Sequence, residues 1–309
     1  MKFLVTGASG LLGYGISEYL LEQGNDVIGT FNKNNSFIKN KNYTEIKVDI
    51  EKEDEIFSAY LNSVDVLVHC AYLTPSGMNN NNISNTEKNI KLGLRIIDFF
   101  LKSKCNRIVF ISSASVYGEN KKMISEDNYM KNDFLSAKYE YAAEKCFLEH
   151  ILQKNISETK KEYIILRPTN IIGYYPDFIN NKQLVPTIFR SIQNHISLEF
   201  DNANKHTRDF ISSKDIGKAI YLLSKKDFDN ETYTICSEIN ISIEALLEDV
   251  SKIFQKNVTY INNENDSKYI DLKYSCSKLK SKISWKPSAS FGDEINNIYK
   301  RLYRFNNEQ

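Results

Sequence analysis

The sequence lacks the features that mark several large classes of protein. With 40 basic and 39 acidic residues its net charge is +1, which gives no electrostatic footprint for nucleic acid or an anionic membrane. No apolar run approaches the roughly 20 residues that a membrane-spanning helix needs. The amino terminus, MKFLVTGASG, turns polar too early for a signal peptide. We therefore expect a cytoplasmic protein whose partners include neither nucleic acid nor a membrane.

Cysteine and histidine are scarce, and their spacing does not suit a metal. The 5 cysteines lie far apart and include no C-x-x-C pair, which argues against a disulfide framework and against a structural zinc site. The 4 histidines show no spacing of the H-E-x-x-H kind. We expect no metal.

Glycine is scarce too, but its distribution is informative. At the usual frequency the chain would carry about 22 glycines; it has 12, several of them near the amino terminus. They form G-x-x-G-x-x-G between a short apolar strand and an apolar-periodic helix. In a dinucleotide-binding turn such glycines permit the tight turn, the approach of a pyrophosphate and close helix packing. An ordinary strand–helix turn is the alternative, but the context favours cofactor binding by Gly7, Ala8, Ser9, Gly10, Leu11, Leu12 and Gly13.

The acidic residue that usually ends the second strand of such a fold is missing. That carboxylate binds the ribose 2′-hydroxyl of NAD. Here the chain reads Phe31-Asn32-Lys33, and Asn32 and Lys33 could instead hold a 2′-phosphate. We therefore expect NADP(H) to be preferred over NAD(H), with a solvated loop side chain as the alternative for Lys33.

Strands and helices alternate along the first half of the chain. Apolar runs predict strands at 2–6, 26–31, 46–50, 64–69, 107–112 and 163–167. This alternation predicts an α/β protein with a Rossmann-type, doubly wound parallel sheet. Later segments are shorter and mixed, which predicts a smaller mixed α/β C-terminal substrate lobe. We assign 1–168 to the dinucleotide-binding domain, to which 208–235 return, and 169–207 and 236–309 to the substrate lobe.

A tyrosine and a lysine one helical turn apart form a candidate acid/base pair. The spacing Tyr141-x-x-x-Lys145 puts both side chains on one helix face. There the ammonium is expected to lower the tyrosine pKa from about 10, which makes a general acid/base near neutral pH. Ser112 and Ser113 end the fifth predicted strand, at the edge where a doubly wound sheet binds its ligand. A serine hydroxyl there could hydrogen-bond the reacting oxygen.

These motifs and others in the same order resemble the extended short-chain dehydrogenases/reductases of the NAD-dependent epimerase/dehydratase family, which act on nucleotide sugars. The resemblance covers nearly the whole chain. It is carried by TGASGLLG, VDI at 48–50, HCA at 69–71, SSASVYG at 112–118, YAAEK at 141–145, LRPTNIIG at 166–173, RDFI at 208–211 and SWKP at 284–287. It implies a nucleotide-sugar substrate and a homodimer, for which the helix at 138–152 is one candidate surface.

The resemblance also implies roles for individual residues. The catalytic residues would be Ser113, Tyr141 and Lys145. The cofactor contacts beyond the glycine turn and the second strand would come from Asp49, Ile50, Cys70, Ala71, Tyr72, Asn89, Ile111, Tyr141, Lys145, Pro168 and Asn170. The substrate contacts would come from Thr74, Ser113, Ala114, Ser115, Tyr141, Asn170 and Arg208. Arg208 would bind the diphosphate, for which a bidentate guanidinium is suited, and a surface salt bridge with Asp209 is the alternative.

Departures from the family pattern narrow the expected reaction. A 4,6-dehydratase needs an Asp-Glu pair after the catalytic hydroxyl, and Ala114 and Ser115 stand there instead. We expect an NAD(P)(H)-dependent enzyme that transfers hydride at C4 of a nucleotide-activated sugar, as a 4-keto sugar reductase or a 4-epimerase, with Tyr141 as general acid/base. The alternative is a catalytically silent NADP-binding regulatory subunit of the same fold, against which the intact Ser113, Tyr141 and Lys145 argue.

Overall fold

The computed structural model describes residues 1–52, 54–73, 83–118, 123–126, 140–265 and 269–303. The strands in these residues are β1 (Lys2–Thr6), β2 (Asp26–Phe31), β3 (Tyr43–Lys47), β4 (Val66–His69), β5 (Arg107–Ile111), β6 (Glu162–Pro168), β7 (Asn170–Ile172), β8 (Leu198–Asp201), β9 (Thr207–Ser212), β10 (Glu231–Ile235), β11 (Asn240–Ser242) and β12 (Tyr260–Asn263). The α-helices are α1 (Leu11–Glu22), α2 (Asp54–Leu61), α3 (Ile83–Lys102), α4 (Glu140–Ile156), α5 (Leu184–Asn194), α6 (Ser213–Ser224), α7 (Ile243–Phe254), α8 (Ser277–Lys282) and α9 (Phe291–Tyr303).

Seven strands form one parallel sheet in the order β10-β6-β5-β4-β1-β2-β3. From β1 the chain runs outward through β2 to β3, then crosses to the other side of β1 and continues through β4, β5 and β6. This is the predicted Rossmann-type doubly wound sheet. Its switch point lies between β1 and β4, and such sheets bind ligands outside the carboxyl ends of the strands at that point.

Both faces of the large sheet are buried, which explains its continuous apolar strands. Phe3 and Val5 pack on one face with α1 and α6, whereas Leu4 packs on the other face with α2 and α3. Successive strand residues point to opposite faces. Each face of the sheet is therefore covered by its own hydrophobic core, and a ligand can reach the sheet at the ends of its strands.

The remaining elements are built around two small sheets. One has the order β11-β9-β7, and in the other β8 pairs in parallel with β12. Helices α5, α7 and α9 enclose a third core that includes Phe189, Leu246 and Ile298. Within 208–235, β10 joins the large sheet and α6 packs on α1, whereas β9 belongs to the three-stranded sheet.

The third strand lies earlier in the chain than its predicted position at 46–50. It spans Tyr43–Lys47 because its partner β2 ends at Phe31, which pairs with Lys47. Just beyond that point the amide of Val48 donates to the carbonyl of Phe31 at 2.9 Å. The apolar pattern therefore marked buried residues correctly, but the partner strand determines where the pairing stops.

The longest of the described helices, α3, has 20 residues. Among the residues that the structure describes, no helix combines the length and apolar character needed to cross a membrane.

Candidate active site

The glycine-rich turn joins β1 to α1 at the switch point of the sheet. Gly7 has a φ of +69°, which favours glycine, and a Cβ there would lie 2.9 Å from Cα of Ala71. A Cβ on Gly13 would lie 2.3 Å from the carbonyl oxygen of Gly7. Both positions are therefore closed to larger residues. At Gly10 the nearest neighbour of an added Cβ is 3.5 Å away, so this side of the turn is open to a ligand.

The first turn of α1 suits an anion. Gly10 is the N-cap residue and supplies no side-chain capping bond, and the first turn contains no acidic residue. The amides of Leu11 and Leu12 belong to the helix end that has no intrahelical acceptors and carries the positive end of the helix dipole. These residues therefore fit the pyrophosphate of a dinucleotide.

Thr6 connects this turn to the neighbouring strand, a role that its place at the start of the TGASGLLG motif did not reveal. Its hydroxyl oxygen accepts hydrogen bonds from the amides of Cys70 and Ala71, both at 3.1 Å. It also lies 2.9 Å from Nδ1 of His69, whose pKa is lowered to about 3 by burial, so the ring is neutral. The residues that end and follow β4 are thereby fixed beside the glycine-rich turn.

The residues predicted to bind the adenosine end follow β2 and β3. Asn32 and Lys33 are exposed just beyond β2. Asp49 accepts a hydrogen bond from the amide of Glu51 at 3.2 Å, which turns the chain after β3. Ile50 is buried in the sheet core. The structure thus places these predicted residues at the carboxyl edge of the sheet, on the β2–β3 side of the switch point.

Ser113 stands after β5, and its hydroxyl oxygen is held by a single neighbour. It accepts hydrogen bonds from the backbone amide of Ser115 at 3.1 Å and from the Ser115 hydroxyl at 2.8 Å. These two bonds use both acceptor lone pairs of Ser113. The Ser113 proton is therefore left for the hydrogen bond that its side chain makes with Tyr141. Ala114, between the two serines, is buried.

Tyr141 lies in the first turn of α4, and its pKa is raised. Burial raises it more than the hydrogen bond from Ser113 lowers it. The prediction that Lys145 lowers this pKa is wrong, because the ammonium lies 5.9 Å from the centroid of the Tyr141 ring and donates instead to the carbonyl of Ile111 at 2.9 Å. Tyr141 therefore keeps its proton at neutral pH.

Lys145 is buried one turn further along α4. Its Nζ lies 3.7 Å from the centroid of the Tyr72 ring, and Tyr72 packs edge-on against Tyr141 with centroids 5.3 Å apart. Burial lowers the pKa of Lys145 to about 7, despite the opposing effect of Cys70. The structure therefore brings the predicted residues Tyr72, Tyr141 and Lys145 into one cluster.

A buried carboxylate outside the predicted set completes this cluster. Glu144 accepts hydrogen bonds from Thr86 at 2.6 Å, from Asn89 at 3.0 Å and from the hydroxyl of Tyr72. The side-chain amide of Asn89 also binds both backbone groups of Leu73. This network fixes the chain after β4 against α3 and α4. The sequence feature that could have indicated this network is the acidic residue Glu144 inside the Y-x-x-x-K motif.

Arg208 lines a cleft of about 230 Å³, whose walls also include Leu11 and Asn170. Asp209, the next residue of β9, points to the other face of its sheet. It is buried and accepts a hydrogen bond from Thr169 at 2.6 Å. The cleft thus joins the start of α1 to a guanidinium that is suited to phosphate oxygens.

The remaining predicted residues lie at the end of β6. Pro168 is its last residue and is buried. Asn170 begins β7, and its side chain donates to the carbonyl of Asp209 at 2.8 Å. Thr74 lies outside the described residues.

Known proteins are similar to this chain in sequence and in fold. Residues 3–236 match the model of the NAD dependent epimerase/dehydratase family. A putative UDP-glucose 4-epimerase of Methanocaldococcus jannaschii is 25% identical over 308 residues, which cover 96% of each chain. A GDP-6-deoxy-D-talose 4-dehydrogenase of Aggregatibacter actinomycetemcomitans is 28% identical over 271 residues, which cover 85% of this chain and 84% of that one.

A solved structure shows the same architecture. UDP-N-acetylglucosamine 4-epimerase from Methanobrevibacter ruminantium, in complex with UDP-N-acetylmuramic acid, matches with a TM-score of 0.81 and 26% identity over 98% of both chains. The family model covers the cofactor turn, the serine motif, the Y-x-x-x-K helix and the strand that carries Arg208. The chain therefore belongs to the NAD dependent epimerase/dehydratase family and is an enzyme of the extended short-chain dehydrogenase/reductase type.

Proposed function

We propose that this enzyme transfers hydride at C4 of a nucleotide-activated sugar, with Tyr141 as general acid/base. The observation that carries the proposal is that α4 places Tyr141 and Lys145 at the carboxyl end of β5, where Lys145 donates to the carbonyl of Ile111, two residues before Ser113. Relatives support C4 as the reacting carbon, because those described above are two 4-epimerases, one of them putative, and a 4-dehydrogenase.

In the reductive direction a 4-keto sugar becomes a 4-hydroxy sugar, and Tyr141 acts as the acid. Burial raises the pKa of Tyr141, so the phenol carries the proton that the carbonyl oxygen must receive. Ser113 has no acceptor capacity left after its two bonds from Ser115, and it donates its own proton. When a substrate oxygen lies beside both hydroxyls, the single Ser113 proton would turn from Tyr141 to that oxygen, which would then meet two hydrogen-bond donors.

The residues present fit a nicotinamide dinucleotide, which supplies the hydride when it is bound. The glycine-rich turn and the amides of Leu11 and Leu12 would hold the pyrophosphate. Lys145 would hold the ribose next to the nicotinamide, because its buried ammonium lies between Tyr72 and the end of β5. Tyr141 would thereby face the sugar on the same side of the site.

The cleft beside Arg208 would hold the nucleoside diphosphate of the substrate. The guanidinium binds phosphate oxygens, and Asn170 lines the same cleft. Asp209 does not compete for that position, since its carboxylate is occupied on the inner side of β9 by Thr169 and Ser237.

Epimerisation at C4 is the second candidate, and the two 4-epimerase relatives favour it. An epimerase would use Ser113, Tyr141 and Lys145 in both directions, first to oxidise C4 and then to reduce it from the other face. Its first step requires Tyr141 without its proton, which the raised pKa opposes at neutral pH. Dehydration lacks the acid and base that it needs, because Ala114 and Ser115 occupy those positions.

We also propose NADP(H) as the preferred cofactor. The end of β2 presents Asn32 and Lys33 to solvent, where a 2′-phosphate would lie, and the strand ends in Phe31 rather than in an acidic residue. A lysine ammonium attracts the phosphate, whereas a carboxylate at this position would repel it.

A homodimer through α3 and α4 is part of the proposal. These two helices pack on each other, and they carry the exposed apolar side chains Leu94 and Phe147, which are 38% and 39% exposed. Sedimentation or light scattering measures the oligomeric state directly.

Turnover with a panel of nucleotide sugars tests the proposed function. The enzyme is incubated with UDP-, GDP-, dTDP- and CDP-linked 4-keto and 4-hydroxy sugars and with NADPH or NADH, and the products are identified by NMR. Stoichiometric consumption of NADPH with formation of a 4-hydroxy sugar is the expected result. A C4 epimer formed without net cofactor consumption supports the second candidate. Cofactor binding without turnover on any sugar contradicts both and indicates a regulatory subunit.

A further inference from the structure

Two cysteines and a glutamate meet between the large sheet and the short helix α8. Cys236 directly follows β10, and Cys276 is the N-cap residue of α8 but makes no side-chain capping bond. Their sulfur atoms and a carboxylate oxygen of Glu238 all lie within 4.8 Å of one another. Both cysteines are fully buried, with 0% exposure. None of these three residues belongs to the cofactor or substrate site.

One distance in the cluster can be compared directly with that in a tetrahedral metal site. The sulfur of Cys276 lies 3.4 Å from Oε1 of Glu238. With Zn–S of about 2.3 Å and Zn–O of about 2.0 Å, tetrahedral zinc separates its sulfur and oxygen ligands by about 3.5 Å. We propose that Cys236, Glu238 and Cys276 bind a thiophilic divalent cation, of which Zn²⁺ is the reference case, with a small ligand such as water in the fourth position.

The backbone at Glu238 directs its carboxylate to the thiols. This residue has a φ of +63°, a left-handed conformation that is uncommon for residues other than glycine, asparagine and aspartate. The amide of Cys276 holds Oε1 of Glu238 with a hydrogen bond of 2.9 Å. Strained backbone of this kind persists where the surrounding structure fixes it, and it is common at ligand sites.

The charges of the cluster remain balanced when a divalent cation binds. Without metal the cluster consists of two thiols and the ion pair between Glu238 and the ammonium of Lys280, which together carry no net charge. Binding replaces two thiol protons by one doubly charged cation: two S–H bonds break, two metal–sulfur bonds form, and two protons leave to solvent. The net charge of the cluster is therefore zero before and after binding. This balance removes the usual cost of placing an uncompensated charge in a buried site.

Metal binding would tie the C-terminal part of the chain to the large sheet. The two cysteines are 40 positions apart, which is why their spacing in the sequence gives no metal signal. Ser237 lies between Cys236 and Glu238 in the chain, and its amide donates at 2.9 Å to Asp209, which follows Arg208 in β9. Metal at this site would therefore stabilise α8 and the wall of the substrate cleft together.

A metal titration of the intact enzyme tests this proposal. Protein purified with a reductant and freed of metal by a chelator is titrated with Cd²⁺, which gives an ultraviolet thiolate-to-metal charge-transfer band, and with Zn²⁺ in competition with a chromophoric chelator. The expected result is one equivalent of metal per chain, release of two protons and a higher thermal midpoint. Cys276→Ser and Cys236→Ser are expected to lose the band, and Cys105→Ser, a buried cysteine elsewhere in the core, is expected to retain it.

Glu238→Gln keeps the test valid if a cysteine variant does not fold, because Glu238 is exposed at the edge of the cluster. This variant is expected to bind Zn²⁺ more weakly while keeping the charge-transfer band of the two thiolates. The proposal is overturned if the wild-type enzyme binds no more metal than Cys276→Ser, or if enzyme isolated with Zn²⁺ and without chelator contains a Cys236–Cys276 disulfide.

Discussion

The hydroxyl of Ser115 donates a hydrogen bond of 2.8 Å to the hydroxyl of Ser113. The backbone amide of Ser115 donates to the same oxygen at 3.1 Å. Because both bonds occupy the acceptor side of Ser113, its proton is directed to Tyr141. Ser115 thus acts on the proposed acid/base through Ser113, in addition to the substrate contact that the family resemblance implies.

Replacement of Ser115 by alanine is expected to lower kcat about fivefold, since one hydrogen bond of about 1 kcal/mol to Ser113 is lost. Ser115→Thr, which keeps the hydroxyl, is the matched control and is expected to retain most of the rate. Ser113→Ala is expected to cost more, about a hundredfold, because it removes the donor to the reacting oxygen. Steady-state kinetics distinguish an effect of Ser115 through Ser113, which lowers kcat, from a substrate contact. A change in KM alone would show that Ser115 only binds substrate.

The choice of cofactor is expected to depend on Lys33. Lys33→Ala should weaken NADPH binding about tenfold or more, because a charge-assisted bond to the 2′-phosphate is lost, and should leave NADH binding unchanged. Lys39→Ala, an exposed lysine in the same loop, is the control. The dissociation constants of NADPH and NADH are measured by fluorescence titration for the wild type and both variants. Tighter binding of NADH than of NADPH by the wild-type enzyme contradicts the proposed preference.

The free energy of unfolding of the cofactor-free enzyme is expected to depend on pH, because the pKa of Lys145 differs between the folded and the unfolded chain. Burial lowers the pKa of Lys145 to about 7, whereas in the unfolded chain it lies near 10.5. Between these values the unfolded chain binds the proton and the folded chain does not, so this residue makes stability rise with pH from about 7 to about 10.5. The free energy of unfolding is measured by urea at several pH values for the wild type and Lys145→Met. The difference between the two should change over this range, and a constant difference would contradict the buried titration.

The buried pair of Glu149 and Arg167 is expected to stabilise the packing of α4 on β6. Two hydrogen bonds, of 3.0 and 2.5 Å, join the carboxylate on α4 to the guanidinium on β6. Glu149→Gln removes the carboxylate charge that faces the buried guanidinium of Arg167 and should lower the free energy of unfolding by about 3–5 kcal/mol. The control is Glu162→Gln, because its pair with Arg107 is partly exposed and should contribute less than about 1 kcal/mol. Similar losses in urea titrations of the two variants would refute the assignment.

Features with a local signal could be predicted from the sequence. The spacing of Gly7, Gly10 and Gly13 after an apolar strand predicted the turn at the switch point, because the backbone leaves no room for a side chain at Gly7 and Gly13. The alternation of apolar strands and helices predicted the parallel sheet, because strands that are buried on both faces have continuous apolar sequences. The position of β3 was missed because its extent depends on the end of β2.

Features that depend on distant contacts could not be predicted. The four-residue spacing of Tyr141 and Lys145 shows that they share a helix face. It does not show that the Lys145 ammonium donates to the carbonyl of Ile111, or that burial has the largest effect on the Tyr141 pKa. The partners of Glu144 come from two other segments, so the sequence around it carries no sign of its burial. The cluster around Cys276 is of the same kind.

The rate of hydride transfer in Tyr141→Phe tests the central claim most directly. Phenylalanine keeps the ring that packs on Tyr72 and removes only the hydroxyl that bonds Ser113. The rate is measured in a single turnover with saturating cofactor and the nucleotide sugar that the wild type uses, and the dissociation constant of the cofactor is measured in parallel. We predict a fall in rate of about 10² to 10⁴ with cofactor binding unchanged. A rate near that of the wild type would contradict the assignment of Tyr141 as the general acid/base.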